Sequence, residues 1–504
     1  MKACWVSFSK KEKSEKVFLF AMATILFLGL LFRARHYFAG RSLWYDEAML
    51  ALNVVRLSFG ELTQQPLLYE QGAPIGFLFF LKAGSLIFGD SEYSFRLFSF
   101  LTGIASLGIF AFFALKYLHK TGTLFALVLF ATSPFVIYYS AETKQYMGDL
   151  FAVLFVLLLY VWIVNAPYSN QRMVVFTIAA SILLWISHAS VFSIVAVGLS
   201  LLWHYKKQTE MQAFWRTFMG LSIAGINSVV VYWINIRPLE QSEFLASFWN
   251  EAYMPLPPTF SWALGMMTAI LQKPFALKIP ALIAYLLILV GAVALWRRNR
   301  QFALPLLLTV LLTLVAGALQ KYPLAERMLL FWVPLILLLF GAALDAIYNF
   351  LRPHALAILI TGLIAFSILL SPTQEAFAKL QKPLYREHIR PSMAYLKNNF
   401  REGDQLYLYY FSEPAFLFYA PKYGLENIPY VVGKNHQGEP EMYQSEINNL
   451  DLHGRNWFLF SHVYEVASIN EEYYITDYLK QIAEKKRLFR YPASSVSLYL
   501  YIFP

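Results

Sequence analysis

The chain has 504 residues, of which 58% are hydrophobic and only 14% charged, whereas soluble domains run at about 45–50% apolar and about 25% charged. That composition excludes an ordinary soluble globule, and the single cysteine, Cys4, excludes a disulfide framework or a cysteine-based metal cluster. The formal charge of +10 is scattered among apolar runs instead of forming a basic stripe, so it reads as a topology signal and no nucleic-acid partner is expected.

The head, residues 2–16, is basic and leads into an apolar run at 17–31. Phe32, Arg33, Ala34, Arg35 and His36 follow where a secretory signal would need small residues, so this run is expected to stay as a transmembrane helix. Further apolar runs lie at 97–115, 121–139, 150–164, 173–186, 189–203, 218–236, 279–296, 302–319, 328–344 and 355–370. At about 20 apolar residues per crossing, they predict about eleven transmembrane helices. With the N-terminus inside, Lys116 and Lys120, Arg172, Lys206, Lys207 and Arg216, Arg297, Arg298 and Arg300, and Arg352 all fall in short cytoplasmic loops. That is the positive-inside bias, and the odd number of crossings puts everything after 371 outside. The stretch 74–88 is apolar but short and carries Lys82. As a full crossing it would invert every later loop, so it is expected to lie in the interface.

The region beyond 373 is polar and aromatic. It predicts a helix at 389–399, a turn at Glu402-Gly403-Asp404, a β-rich run at 405–411, a helix around 414–423, and strands at 457–460 and 495–502. The expected fold class is therefore a polytopic α-helical membrane protein with a C-terminal extracytoplasmic α/β domain. The expected domains are a transmembrane module at 1–371, with a first outer loop at 36–96, and the α/β domain at 372–504.

Three clusters in the predicted outer loops carry candidate chemistry. Asp46-Glu47 follows Leu43-Trp44-Tyr45 shortly after the first crossing. A carboxylate held half-dry beside interfacial aromatics suits a general base, although an isolated acidic pair also fits a solvated loop. The second cluster, 138–149, links two apolar runs through a tight turn holding Glu142, Lys144 and Tyr146. If the following helix begins at once, Glu142 and Asp149 share one of its faces. Asp149 at the helix mouth is a functional candidate because intramembrane carboxylates are costly, and pairing with Lys144 is the bland alternative. In the third, Lys321, Tyr322, Glu326 and Arg327 lie in an outer turn, where two cations run against the positive-inside bias and could hold a phosphate with Arg96. Pairing of Glu326 with Arg327 is the alternative there. The histidines show no metal-ligand spacing, so no metal residues are assigned, and no phosphate-binding or dinucleotide glycine motif occurs.

Asp46-Glu47, the interfacial segment, Phe95-Arg96-Leu97-Phe98-Ser99, Ser133-Pro134-Phe135 and Ser140-Ala141-Glu142-Thr143-Lys144-Gln145-Tyr146 together resemble a known arrangement. It is that of the GT-C fold membrane glycosyltransferases, in particular bacterial relatives of the dolichyl-phosphate-mannose protein mannosyltransferases and the aminoarabinose transferase of lipid A. The resemblance implies that Asp46, beside Glu47, is the catalytic acid of the first outer loop, that Arg96 contacts phosphate, and that Asp149 is the acid opening the fourth helix. Glu142 and Lys144 match the Glu-x-Arg-like turn, with lysine in place of arginine. Gly72-Ala73-Pro74 stands where the family often has His-Pro-Pro.

The resemblance further implies transfer of a sugar from a polyprenyl-phosphate donor to an envelope glycan, lipid or protein on the outer, periplasmic face of the inner membrane. Membrane lipids are the expected surroundings. No nucleotide cofactor is expected, and a divalent cation is compatible with the reading. The rival classes are a transporter or lipid flippase and a non-catalytic scaffold of envelope polysaccharide assembly.

Overall fold

The computed structural model describes residues 2–504 except 65, 273–276, 353, 355, 383–384, 438, 467–468 and 493. The chain divides into two compact units. One comprises Met1–Ala39, Phe59–Ile87 and Arg96–Lys382; the other comprises Gly40–Ser58, Phe88–Phe95 and Pro383–Pro504. Helices are numbered along the whole chain: α1 (Lys2–Phe38), α2 (Tyr45–Arg56), α3 (Ile75–Phe88), α4 (Glu92–Tyr117), α5 (Lys120–Thr132), α6 (Pro134–Tyr139), α7 (Tyr146–Val164), α8 (Asn170–Ile186), α9 (Ser190–Lys207), α10 (Met211–Val231), α11 (Arg237–Glu240), α12 (Glu243–Trp249), α13 (Phe260–Gln272), α14 (Ala281–Arg298), α15 (Arg300–Ala318), α16 (Trp332–Leu351) and α17 (Ala357–Gln381).

The first unit is the helical membrane unit, and this is a multi-pass membrane protein. Each of the eleven apolar runs is mostly helical among the described residues. Among the described residues, 8 helices are long and apolar enough to cross a membrane: Lys13–Phe38 of α1, α4, α7, the stretch Met211–Glu240, α14, α15, α16 and α17. The run at 121–139 is broken, because Ser133 caps α6 and accepts from the Val136 amide while Pro134 cannot continue α5. The other two runs form α8, of 17 residues, and α9, whose last turn is His-Tyr-Lys-Lys. The segment at 74–88 is helical as α3, 14 residues long, with Phe77, Leu78 and Leu81 buried and Leu86, Ile87 and Phe88 exposed.

Helices pack closely through small residues, the usual device where lipid removes the hydrophobic drive between spans. A Cβ at Gly291 of α14 would lie 1.9 Å from the Leu339 carbonyl oxygen of α16, so only glycine fits there. Most of α16 is buried. The last helix, α17, runs past the expected boundary at 371 and ends at Gln381.

The second unit is an α/β unit. Its remaining elements are α18 (Arg390–Asn399), β1 (Gln405–Leu408), α19 (Glu413–Tyr423), β2 (Tyr430–Val432), α20 (Pro440–Asn448), β3 (Gly454–Phe460), β4 (Glu465–Val466), β5 (Ile469–Asn470), α21 (Glu471–Ile482), β6 (Lys485–Arg490) and β7 (Ser497–Phe503). The five-stranded sheet has the order β2-β1-β3-β7-β6, and β4 pairs with β5 separately. β1 is parallel to both β2 and β3, whereas β7 is antiparallel to β3 and β6. Buried on both faces, β3 is almost wholly apolar, as Trp457-Phe458-Leu459-Phe460 shows. The outer strand β6 is basic and exposed, which discourages pairing with another edge. The predicted turn is formed with Gly403 at φ 86°, a left-handed conformation that glycine adopts freely. The connections from β1 lead to β2 on one side, and then by α20 to β3 on the other, so the strand order reverses between β1 and β3.

Candidate active site

In the membrane unit the candidates are assembled at the mouth of α7. Gly148 lets this helix approach α4, since a Cβ there would meet the Phe98 ring at 2.6 Å. Ser99, also on α4, donates through Oγ to the carbonyls of Glu142 at 2.6 Å and Lys144 at 3.2 Å, so the turn 140–145 is held against α4. Arg96 lies one helical turn before Ser99 and is buried, 1% exposed. The helix α7 does not begin at once: it starts at Tyr146, which leaves Glu142 in the turn and off the helical face that carries Asp149.

Tyr146 links the two acids. Tyr139 is in electrostatic contact with Glu142, Tyr146 and Arg327, and Tyr322 with Asp149 and Tyr146. The Arg327 guanidinium lies over the rings of Trp249 at 4.9 Å, Phe248 at 5.8 Å and Tyr146 at 5.9 Å, within the range of a cation–π contact. Glu142, Tyr146, Asp149, Tyr322 and Arg327 therefore form one group. Burial holds the Tyr322 phenol well above its ordinary range, and Asp149 and Tyr146 add to the effect. Its hydroxyl donates to the Met328 carbonyl at 2.8 Å. Glu326 belongs to the same turn, half-buried beside Arg327.

Asp149 is 5% exposed. Ser187 and the Ala189 backbone lie near its carboxylate, and its Oδ1 has no hydrogen-bond partner among the described residues. Lys144 does not tie this acid down: its ammonium donates to Gln71 Oε1 at 2.7 Å. Lys321 is exposed, with its Nζ 3.2 Å from Glu240 Oε1.

In the second unit, Asp46 and Glu47 occupy the first turn of α2. Glu47 is fully buried, and its Oε2 accepts from the Trp44 amide at 3.4 Å, the geometry of a residue that closes the start of its own helix. Asp46 is half-buried. The segment before it is fastened to the C-terminal region of the chain. The Leu43 amide donates to the Tyr419 hydroxyl at 2.8 Å, which donates in turn to Glu92 at 2.7 Å. The Tyr45 amide donates to Glu387 Oε2 at 2.9 Å, and Arg390 donates to the Gly40 carbonyl at 3.0 Å. The acidic pair is thus built into the same compact unit as the five-stranded sheet.

No protein-family model matches the sequence, and no curated protein matches it either. Among solved structures, ArnT from Cupriavidus metallidurans in the apo state aligns over 97% of this chain and 98% of its own, with a TM-score of 0.54 and 12% identity. The same protein bound to undecaprenyl phosphate aligns with the same coverage and TM-score at 13% identity. The chain has the ArnT fold. It is the GT-C architecture expected from the motifs in the first outer loops, and the alignment with ArnT takes in both compact units.

Within this ArnT-like fold, sequence reasoning missed Asn235, His188, Glu387 and His462. Asn235 lies in a π-helical turn, Tyr232–Ile236, with no exposed surface; such turns recur at functional sites. Its Oδ1 meets His188 Nε2 at 2.9 Å and accepts from the Ile75 amide, while its Nδ2 donates to the Ala73 carbonyl at 3.1 Å. Burial lowers the His188 pKa, opposed by the bond to Asn235. The loop 187–189, which lies near Asp149, is thereby joined to the start of α3. A lone asparagine in the run Val-Val-Val-Tyr-Trp-Ile-Asn-Ile is the signal that could have found it.

Among the described residues, no group of three or more His, Cys, Asp or Glu side chains is close enough to hold a metal ion.

Proposed function

We propose that this protein is a membrane glycosyltransferase that moves a sugar from a polyprenyl-phosphate carrier to a hydroxyl of an envelope glycan, lipid or protein on the outer face of the inner membrane. The observation that carries this reading is the full-length fold likeness to ArnT, one of whose structures holds undecaprenyl phosphate. The N-terminus is then cytoplasmic and the α/β unit periplasmic.

In this reading Asp46 is the general base. The acceptor oxygen attacks the anomeric carbon, its proton passes to the Asp46 carboxylate, and the bond from the anomeric carbon to the phosphate oxygen breaks. The electron pair leaves with the polyprenyl phosphate. A single in-line displacement inverts the anomeric centre. Arg96 and the aromatic-seated Arg327 stabilise the charge growing on the phosphate, as preorganised cations do most effectively in a dry site. Lys321 shares its charge with Glu240 and contributes less. Glu142, Lys144, Tyr146, Tyr322 and Glu326 shape the donor site, and Asp149 supplies a buried acceptor to the sugar hydroxyls. Glu47 holds the turn that presents Asp46.

Two measurements test this. Purified protein in nanodiscs should bind undecaprenyl phosphate in preference to a phospholipid of equal charge. In cells, D46N should abolish the sugar modification that disappears when the gene is deleted, a loss of at least about 100-fold for removal of a general base, at unchanged membrane abundance. A D46N strain with the full modification would remove Asp46 as the base, and absence of lipid selectivity would favour the scaffold or transporter class.

A further inference from the structure

In open α/β sheets the functional crevice lies beyond the carboxyl ends of the strands where the strand order reverses. Here that point is between β1 and β3, and the residues leaving those ends are Tyr409-Tyr410-Phe411-Ser412 and Ser461-His462. Ser412 pins the two exits together: its Oγ donates to the Leu459 carbonyl at 3.1 Å and accepts from the Ser461 amide at 2.7 Å. His462 then takes φ 56°, a left-handed conformation that is strained for a non-glycine residue and persists only where its surroundings enforce it.

The side chain explains the enforcement. His462 Nδ1 is 2.8 Å from Glu387 Oε1, and the other oxygen of that carboxylate accepts from the Tyr45 amide at 2.9 Å. The Tyr45 ring stacks on the imidazole at 4.6 Å and 17°, and Phe411 meets both rings edge-on. Glu387 and His462 are well covered, with side chains 4% and 14% exposed. Tyr45 is the first residue of α2, and Asp46 is the second.

We propose that Glu387 and His462 are positioning residues for the transfer reaction: Glu387, oriented by His462, fixes the first turn of α2 and with it the direction of the Asp46 carboxylate. This rests on the reading of Asp46 as the base. A carboxylate on the leading amides of a helix is favoured by the helix dipole whatever the function. What exceeds that generic role is the use of both oxygens, one on the helix and one on a histidine held in a strained backbone at the sheet's switch point. A base displaced by about 1 Å loses on the order of 100-fold in rate, so rigidity is needed here more than stability.

The test uses the full-length protein with E387A, H462A and the conservative E387Q, alongside D46N. E387A and H462A should each lower the deletion-defined sugar modification at least tenfold, with undecaprenyl phosphate affinity within twofold of the parent. Backbone hydrogen exchange at residues 43–48 should accelerate at least tenfold while exchange in β3 stays as it was. E387Q, which keeps an acceptor for the Tyr45 amide, should recover most of the modification. Unchanged exchange at 43–48 in both alanine variants, or full modification in both, would overturn the proposal. An active D46N would instead sink the reading of the base, and the exchange data would still decide whether Glu387 and His462 hold α2.

Discussion

Lys321 and Glu240 form an ion pair, Nζ to Oε1 3.2 Å, and Glu240 also accepts from the Tyr232 hydroxyl. The hydrogen bond to Glu240 raises the Lys321 pKa, so the lysine stays charged but its charge is already matched. Arg327 lies over the Tyr146, Phe248 and Trp249 rings in the group around Asp149, whereas Lys321 is exposed and directed to Glu240. By their placement the two cations of this turn should therefore differ in weight. R327A is expected to weaken undecaprenyl phosphate binding at least tenfold and K321A less than threefold, measured in nanodiscs at fixed ionic strength. Equal losses would show that the Glu240 pair opens on binding.

Asn235 satisfies three groups at once, a half-buried one on His188 and buried ones on Ile75 and Ala73. N235L retains bulk but orphans all three, at about 1–3 kcal/mol for each buried group left unpaired. The solubilised protein should unfold at a clearly lower temperature, and exchange should accelerate first at the start of α3. A variant as stable as the parent would mean that water replaces the amide.

Gly291 is a packing residue with no part in the chemistry. G291L drives a side chain into the Leu339 carbonyl, and overpacking of this kind costs about 1–3 kcal/mol or more. Thermal unfolding in detergent should shift downward, and any surviving folded fraction should bind undecaprenyl phosphate with parental affinity. A normal unfolding temperature would show that α14 and α16 can separate without loss.

Glu413 opens α19, and burial raises its pKa, opposed by Arg56. The folded form therefore holds its proton to a higher pH than the unfolded chain. This penalty is absent below the unfolded pKa, grows as pH rises through the folded pKa, and is complete above it. E413Q should remove that dependence, so parent and variant should converge in stability toward acid pH and diverge in favour of the variant above the Glu413 titration. Parallel stability curves would disprove the shift.

Much of this architecture could be read from local pattern. The eleven apolar runs are mostly helical among the described residues because their composition and length leave little else, and α18, α19, β1, β3 and β7 follow from periodicity and turn residues. β2 is only three residues long, and β6 reads as Lys-Lys-Arg-Leu-Phe-Arg, a solvated stretch until its partner strand is known. The break at Ser133-Pro134 was present in the sequence, but the continuous apolar character on both sides hid it. Site contacts were least legible where partners lie far apart in the chain: Tyr45 and Glu387 are separated by 342 residues, and Lys321 and Glu240 by 81. No spacing rule spans such distances, so the acidic pair could be located but not what holds it.

Arg33 has no exposed surface, and its guanidinium donates to the carbonyls of Gly29 on its own helix and of Phe130 near the end of α5. An arginine in an apolar segment is costly until its donors are met, and the Phe130 carbonyl is synthesised 97 residues later. The charge that α1 carries into the bundle is thus accommodated by a neighbour far along the chain, so α1 and α5 depend on each other. R33L should relieve that dependence, whereas any change that parts the two helices leaves a buried guanidinium short of acceptors.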